Sequence, residues 1–438
     1  MRMLVLGAAV SGTAAARLGQ RLGHRVTVFD SNPRTSAGLV GEGIAVVAGE
    51  WEPDLLTGID LVVASPGFHP RSAPITDAFE SGLPVWSELE FAWRELNAPV
   101  VAVTGTNGKT TVTEATAAML NASGIPAAAV GNIGTALSSV VGDDIEVWVV
   151  EASSFQLDLT ESFHPETSVL LNIAPDHLDW HQSYQTYAAA KAKVFAHQGP
   201  DDLLVYDADD PGVVPLVDEL GNRPSHPRLG PVSGLRQPEG GWGPDTEFLH
   251  LPGISLPLLE LSSAGPILLV DLAAAAAAAF DRGAAPEAIA SVCRSFRPGR
   301  HRRHRLGSWS GVTFVDDSKA TNPHAALASI ASFSSVVLIA GGMSKGLDIA
   351  PLVRAEGVRH VVAIGEAAPV LVAAAEPGRA TTADSMEEAV AAAIAFAQPG
   401  DTVLLAPGCA SFDMFESYGE RGDAFAAAVR TLTQGGAA

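Results

Sequence analysis

Short apolar runs of three to five residues recur along the chain, most of them closed by glycine, proline or a polar residue. Longer stretches of helical periodicity follow most of them. Residues 3–6 form the first run. It ends at Gly7, passes through small residues to Gly12, and continues as a helical segment over 13–22. A second run at 25–29 is closed by Asp30. Runs at 61–64, 100–103, 147–150, 169–171 and 203–206 predict further strands, and the helical stretches between them predict crossovers. That alternation predicts parallel sheets covered on both faces. Residues 221–262, rich in Gly, Pro and Ser, predict loops or a small antiparallel excursion. Runs at 312–315, 336–339, 360–364 and 402–405 resume the strand–helix alternation. Polar breaks at Leu96-Asn97-Ala98-Pro99 and Phe296-Arg297-Pro298-Gly299 divide the chain into three expected domains, 1–97, 98–297 and 298–438.

Composition narrows the function classes. Of 438 residues, 47% are hydrophobic and 17% charged, which suits packed cores rather than disorder. The formal net charge of −22 repels phosphate backbones and anionic lipid, so neither nucleic acid nor a membrane surface is an expected partner. An anionic nucleotide then needs a locally basic pocket. Two cysteines, Cys293 and Cys409, are too few for a disulfide framework or a zinc site and suit a reducing cytoplasm. The apolar start is interrupted by Arg17 and Arg21, and the alanine block at 273–279 stops at Phe280-Asp281-Arg282. Neither is expected to be a leader or a membrane span, and the chain is expected to be cytoplasmic.

The sharpest chemical signal follows the run at 100–103. Thr104 leads into Gly105-Thr106-Asn107-Gly108-Lys109-Thr110-Thr111, a glycine loop that opens a helix. Glycines let successive N–H groups face a phosphate, Lys109 neutralises it, and the Thr110 hydroxyl suits Mg²⁺. Val103 stands where the usual P-loop has its first glycine. Glu151, at the end of the next apolar run, is placed for a magnesium ligand. The turn at Gly7 to Gly12 has Ala9 in the middle glycine position and is a weak nucleotide signature, open between a phosphate site and tight packing. A third cluster runs from Asn172 through His177 to Asp179, with Lys191 fourteen residues beyond His177 in a helical run. Near the carboxyl terminus, Asp317-Ser318-Lys319-Ala320-Thr321-Asn322, Gly341 to Gly346 and Pro407 to Asp413 each follow an apolar run, which predicts three loops on one binding face. The expected fold is therefore α/β, with a Rossmann-like nucleotide-binding domain, a central P-loop ATPase-type parallel-sheet domain and a second Rossmann-like domain.

These motifs resemble the Mur ligase family of peptidoglycan synthesis over essentially the whole chain, and the variant P-loop is a trait of that family. The resemblance implies an ATP-dependent ligase that adds D-glutamate to UDP-N-acetylmuramoyl-L-alanine through an acyl phosphate, as a monomer. It implies ATP at Gly105, Thr106, Asn107, Gly108, Lys109, Thr110 and Thr111, with Arg302 and Asp317. Two Mg²⁺ ions are implied at Thr110, Glu151, His177 and Lys191, the last carbamylated. The sugar nucleotide is implied at Val10, Ser11, Asp30, Ser31, Asn32, Asn132, Ser153 and Gln156, and the amino acid at Lys319, Thr321, Lys345, Ser411 and Phe412. Departures from the family pattern are Ile267-Leu268 for a His-Asn pair, Asp271 for asparagine, His304 for glutamate, Asn32 for a basic residue (with Arg34 nearby) and Tyr418 for phenylalanine. A sibling ligase acting on another amino acid, such as L-glutamate, stays open at this stage. A nicotinamide oxidoreductase built on Gly7 to Asp30 would leave the Gly105 loop unexplained.

Overall fold

The computed structural model describes residues 1–32, 37–261 and 265–434, so Arg34 lies outside the described residues. Twenty strands occur among them: β1 (Arg2–Leu6), β2 (Arg25–Asp30), β3 (Ala45–Ala48), β4 (Leu61–Ala64), β5 (Val85–Ser87), β6 (Val100–Thr104), β7 (Ala127–Gly131), β8 (Val147–Glu151), β9 (Thr167–Leu170), β10 (Leu203–Asp207), β11 (Arg228–Val232), β12 (Gly243–Pro244), β13 (Phe248–Leu251), β14 (Ile254–Pro257), β15 (His304–Trp309), β16 (Val312–Asp316), β17 (Val336–Gly341), β18 (Val358–Ile364), β19 (Ala380–Ala383) and β20 (Thr402–Leu405). They build three main α/β sheets, amino-terminal, central and carboxyl-terminal. The orders are β3-β2-β1-β4-β5, β11-β10-β9-β6-β8-β7 and β15-β16-β20-β17-β18-β19. All pairings in the first two are parallel, and only the β15–β16 pair of the third is antiparallel.

Strand order decides where ligands can sit. In each sheet the chain reverses direction of growth at an inner strand: beside β1, beside β6, and around β20, which lies between β16 and β17. Loops at the carboxyl ends of strands on either side of such a point diverge and leave a crevice. The glycine turns, Glu151 and the loops after β16, β17 and β20 all fall at these points.

The chain divides into two compact units. One comprises 1–173 with 185–296, and the other 174–184 with 297–438. Within the first, the strand β6 is fully buried, and helix Lys109–Ala122 packs against helix Pro266–Asp281. Every alanine of the 273–279 block is at most 1% exposed, because a methyl side chain lets the two helices and the sheet approach closely. Residues 221–262 contribute β11, parallel to β10, and a small antiparallel β12–β13–β14 sheet. The amino-terminal and central sheets of this unit are tied by buried carboxylates. Glu88 accepts from the Ser138 N–H at 2.6 Å, and Glu90 accepts from Ser162 N–H and hydroxyl. The described residues include no helix long and apolar enough to cross a membrane.

Candidate active site

The central sheet presents the densest polar cluster. Gly105 takes φ +153° and a Cβ there would lie 3.0 Å from Leu171 Cβ; Gly108 takes φ +86°, and its Cβ would meet the Asp271 carboxylate at 2.6 Å. Side chains at these positions would be strained or clash, so the loop must be glycine where it turns. Gly108 then starts the helix Lys109–Ala122 and, being glycine, brings no side chain of its own to its amino end. The N–H groups of the first turn and the helix dipole favour an anion there.

Lys109 folds over this loop, its ammonium donating to the carbonyls of Gly105 and Thr106 at 3.0 Å each. The Thr110 hydroxyl donates to Glu151 Oε2 at 2.6 Å, and the Asn132 amide donates to Oε1 at 3.0 Å. Parallel register sets Val103 opposite Glu151, which delivers the carboxylate beside the start of the loop. Glu151 is 3% exposed, so a buried carboxylate is satisfied by two side chains rather than by backbone. These are hard oxygen donors at a phosphate-type loop, and they fit Mg²⁺, which usually takes few carboxylates and completes its shell with phosphate and water. Among the described residues no three His, Cys, Asp or Glu side chains form a metal cage.

Two further residues build the loop from the β9 side. Asn172 accepts from Asn107 N–H at 2.8 Å through its side chain, donates back to the Asn107 carbonyl at 3.1 Å, and takes Thr106 N–H on its own carbonyl. The cluster from Asn172 to Asp179 is visible in the sequence, but the part Asn172 plays in building the loop is not. The available signal was a polar residue at the end of the strand beside β6. Lys191, 1% exposed, donates to the Gly105 carbonyl at 2.7 Å with its ammonium 4.7 Å from the Tyr187 ring centroid. Tyr187 in turn bonds Thr106 through its hydroxyl. His177 belongs to the second unit. It takes a left-handed conformation at the start of helix Leu178–His181, and Asp176 beside it accepts from Asn322 at 3.1 Å.

The amino-terminal sheet offers a quieter site. Val10 is exposed and Ser11 half-buried on the first turn of helix Val10–Arg21, whose preceding Ala9 provides no side-chain cap. Asp30 accepts from Ala8 N–H at 2.7 Å and from Asn32 N–H at 2.8 Å, so its carboxylate braces the turn itself. Ser31 and Asn32 are exposed. Ser153 and Gln156 are buried and form a capping box at helix Ser154–Asp158, with Gln156 Oε1 taking both the N–H and the hydroxyl of Ser153.

In the second unit the three expected loops do meet. Met343 and Ala410 form an antiparallel bridge, and Gly408 N–H donates to Ala320 carbonyl at 2.9 Å. Arg302 sits between His301 and Arg303, both at positive φ (61° and 49°), and Arg303 N–H donates to Asp317. Burial pushes the Asp317 carboxyl above its ordinary range. Lys319 is half-buried with its ammonium 3.9 Å from the Tyr418 ring centroid, Thr321 N–H bonds the Lys319 carbonyl, and Lys345 is exposed at φ 53°. Ser411 is buried, whereas Phe412 is 66% exposed. Tyr418, not Phe412, is the aromatic packed against a lysine of this face.

The comparisons with known proteins agree along the chain. Residues 1–87 match the Mur ligase MurD-like N-terminal domain, 103–226 the Mur ligase middle domain, and 299–409 the Mur ligase glutamate ligase domain. A UDP-N-acetylmuramoylalanine--D-glutamate ligase of Frankia casuarinae is 43% identical, covering 98% of this chain and 93% of the relative. The protein of that name from Shouchella clausii is 40% identical, covering 98% and 97%. Among solved structures, a pseudomurein peptide ligase type C from Methanothermus fervidus superposes with TM-score 0.61 at 17% identity, covering 99% of this chain and 100% of the other. A MurF ligase from Thermotoga maritima in complex with ADP gives TM-score 0.60 at 16% identity, covering 100% and 99%. With near-complete coverage at this identity, and with the variant phosphate loop, its carboxylate and the three carboxyl-terminal loops in place, the chain belongs to the Mur ligase family.

Proposed function

We propose that this chain is an ATP-dependent ligase that joins D-glutamate to UDP-N-acetylmuramoyl-L-alanine in peptidoglycan precursor synthesis, acting as a cytoplasmic monomer. The observation that carries the chemistry is the convergence of Thr110, Glu151 and Asn132 beside the loop that holds Lys109. The substrate assignment is supported by the relatives of that name along almost the whole chain. In this reading residues 1–97 hold the sugar nucleotide, 98–297 ATP and 298–438 the amino acid.

A carboxylate acylates poorly because oxide would have to leave. Transfer of the γ-phosphoryl of ATP to a carboxylate oxygen expels ADP and turns phosphate into the leaving group. The deprotonated amine then attacks the carbonyl carbon, and the tetrahedral adduct collapses with loss of inorganic phosphate as the amide forms. Lys109 and the N–H groups of the first helical turn supply fixed positive charge where the transferring phosphoryl gathers negative charge. Thr110 and Glu151 would hold Mg²⁺, which would supply further charge neutralisation at the phosphates, and His177 and a carbamylated Lys191 each keep a metal-ligand role in this reading. Carbamylation joins CO₂ to the neutral amine with release of a proton. The product keeps one N–H, enough for the bond that Lys191 makes to Gly105.

Arg302 and Asp317 serve ATP, and Asn132, Ser153 and Gln156 lie along the sugar. Val10, Ser11, Asp30, Ser31 and Asn32 surround the uridine diphosphate. Lys319, Thr321, Lys345, Ser411 and Phe412, with Tyr418 packed against Lys319, suit a dicarboxylate, whose two anionic groups each need a partner when desolvated. The test is phosphate release with the alanyl sugar nucleotide and a panel of D- and L-amino acids. Release is expected only with ATP, the sugar nucleotide and D-glutamate together, and a higher kcat/KM for L-glutamate or L-alanine overturns the substrate assignment.

A further inference from the structure

The largest fully buried side chain among the described residues is Arg421, 1% exposed in helix Tyr418–Gln434. Its guanidinium reaches two separate loops. Nε donates to the Ser318 hydroxyl at 3.0 Å, Nη2 to the Ser318 carbonyl at 2.9 Å, and Nη1 to the Cys409 carbonyl at 3.0 Å. Ser318 Oγ passes the connection on to the Tyr418 carbonyl at 2.8 Å. The partners are carbonyls and a hydroxyl, so the charge is held by dipoles rather than by a contacting carboxylate. Burying a cation in this way is costly, and only a planar fork with several fixed donors spans both loops. Burial lowers its pKa to about 10, so the group stays cationic at neutral pH.

The next residue is equally constrained. A Cβ on Gly422 would lie 2.1 Å from the His301 ring. That ring is buried and bonds Asp316 at 2.6 Å, while the His301 carbonyl takes Lys319 N–H at 3.0 Å. The Arg421-Gly422 pair therefore fastens the start of the last helix to the loop that bears Lys319 and, through Cys409, to the loop that bears Ser411.

We propose that Arg421 is a positioning residue for the amino-acid site: its guanidinium fixes the 318–321 and 409–411 loops against each other and keeps a positive charge beneath them. It sets affinity for the dicarboxylate without touching it. This rests on the assignment of Lys319 and Ser411 to glutamate.

The test is steady-state kinetics of the full-length wild type, R421M and R421K, varying glutamate, ATP and the sugar nucleotide in turn, with Tm measured for each. R421M is expected to raise the KM for glutamate by about 10- to 100-fold, the scale of losing hydrogen bonds to a charged group, with the other two KM values within about threefold. R421K keeps the charge but loses the fork, and an intermediate glutamate KM is expected. A folded R421M with unchanged glutamate KM overturns the proposal, as do three KM values rising in step. If R421M does not fold, R421K decides, and wild-type values for it overturn the proposal. A wild type that does not use glutamate at all sinks the substrate assignment instead, before any variant is compared.

Discussion

Two turns in this chain share one design and differ in their acids. Gly7 to Gly12 follows β1 and Gly105 to Lys109 follows β6, each an inner strand of a parallel sheet and each opening a helix whose N-cap residue, Ala9 or Gly108, supplies no side-chain cap. At the first, Asp30 comes from the neighbouring strand and binds the turn's own backbone at Ala8. At the second, Glu151 comes from the neighbouring strand and binds two side chains, Thr110 and Asn132. An acid consumed by backbone locks its loop and adds no exchangeable ligand. An acid held by a hydroxyl and an amide can give either up to a cation. The first turn suits holding a phosphate that does not react, and the second suits transferring one.

Removing the charge should break the comparison most sharply. Lys109→Ala is expected to reduce kcat by about 10³-fold, the scale of losing a preorganised electrostatic stabiliser. Ser11→Ala, on the corresponding turn of the other sheet, should change the KM for the sugar nucleotide and leave kcat within about threefold. Retention of more than a tenth of wild-type turnover by the lysine variant would remove the distinction.

The acids come next. Glu151→Gln keeps the acceptor for Thr110 but loses the anion, so turnover should fall by about 10²-fold and the Mg²⁺ needed for half-maximal rate should rise. Asp30→Asn keeps an acceptor for Ala8 N–H and should leave the Mg²⁺ requirement unchanged. A Mg²⁺ titration of both variants separates the roles, and equal shifts would erase the contrast.

Packing distinguishes the turns more mildly. A Cβ on Gly12 would lie 1.9 Å from the Gly7 carbonyl oxygen, which is backbone and cannot swing aside. Gly12→Ala should therefore cost about 1–3 kcal/mol of stability, as overpacking usually does, read as a lower denaturant midpoint. An unchanged midpoint would show that the helix can shift on its strand.

Much of this was legible in the residues, for a physical reason. Strands of β-branched residues such as Val100–Thr104 and Val147–Glu151 announce themselves because a strand buried on both faces needs continuous apolar side chains. Edge strands do not. Ala127–Gly131 is mostly alanine, and His304–Trp309 is polar because one edge faces solvent, so neither stands out from loop or helix. The phosphate loop was legible because its glycines and lysine are local in sequence. Asn172 was not, because it acts from another strand's end. Phe412 against Tyr418 shows the same limit: loop side chains carry no period, and only the fold shows that one ring is exposed while the other lies under Lys319.

A pH-dependent effect extends the contrast to the carboxyl-terminal edge of the central sheet, where β10 ends in Asp207 with Asp209 and Asp210 just beyond. Burial, with the neighbouring carboxylates of Asp210 and Asp209 adding to it, pushes the Asp207 carboxyl up to about 7, against the donated N–H of Asp209 and the charge of Arg236. An unfolded aspartate titrates near about 4. Between those values the folded state binds more protons than the unfolded one, so stability contributed by this group falls as pH rises and levels off above neutrality. Asp207→Asn keeps an oxygen for the Asp209 N–H but has no charge to bury. Its Tm should exceed that of the wild type by a margin that widens from pH 5 to pH 7.5 and then stays constant. Carboxylates elsewhere titrate alike in both proteins and cancel from the difference. A margin that is flat across this range, or that narrows as pH rises, would mean that Asp207 is ionised at a normal pKa and that the acid-rich edge of the central sheet carries no such strain.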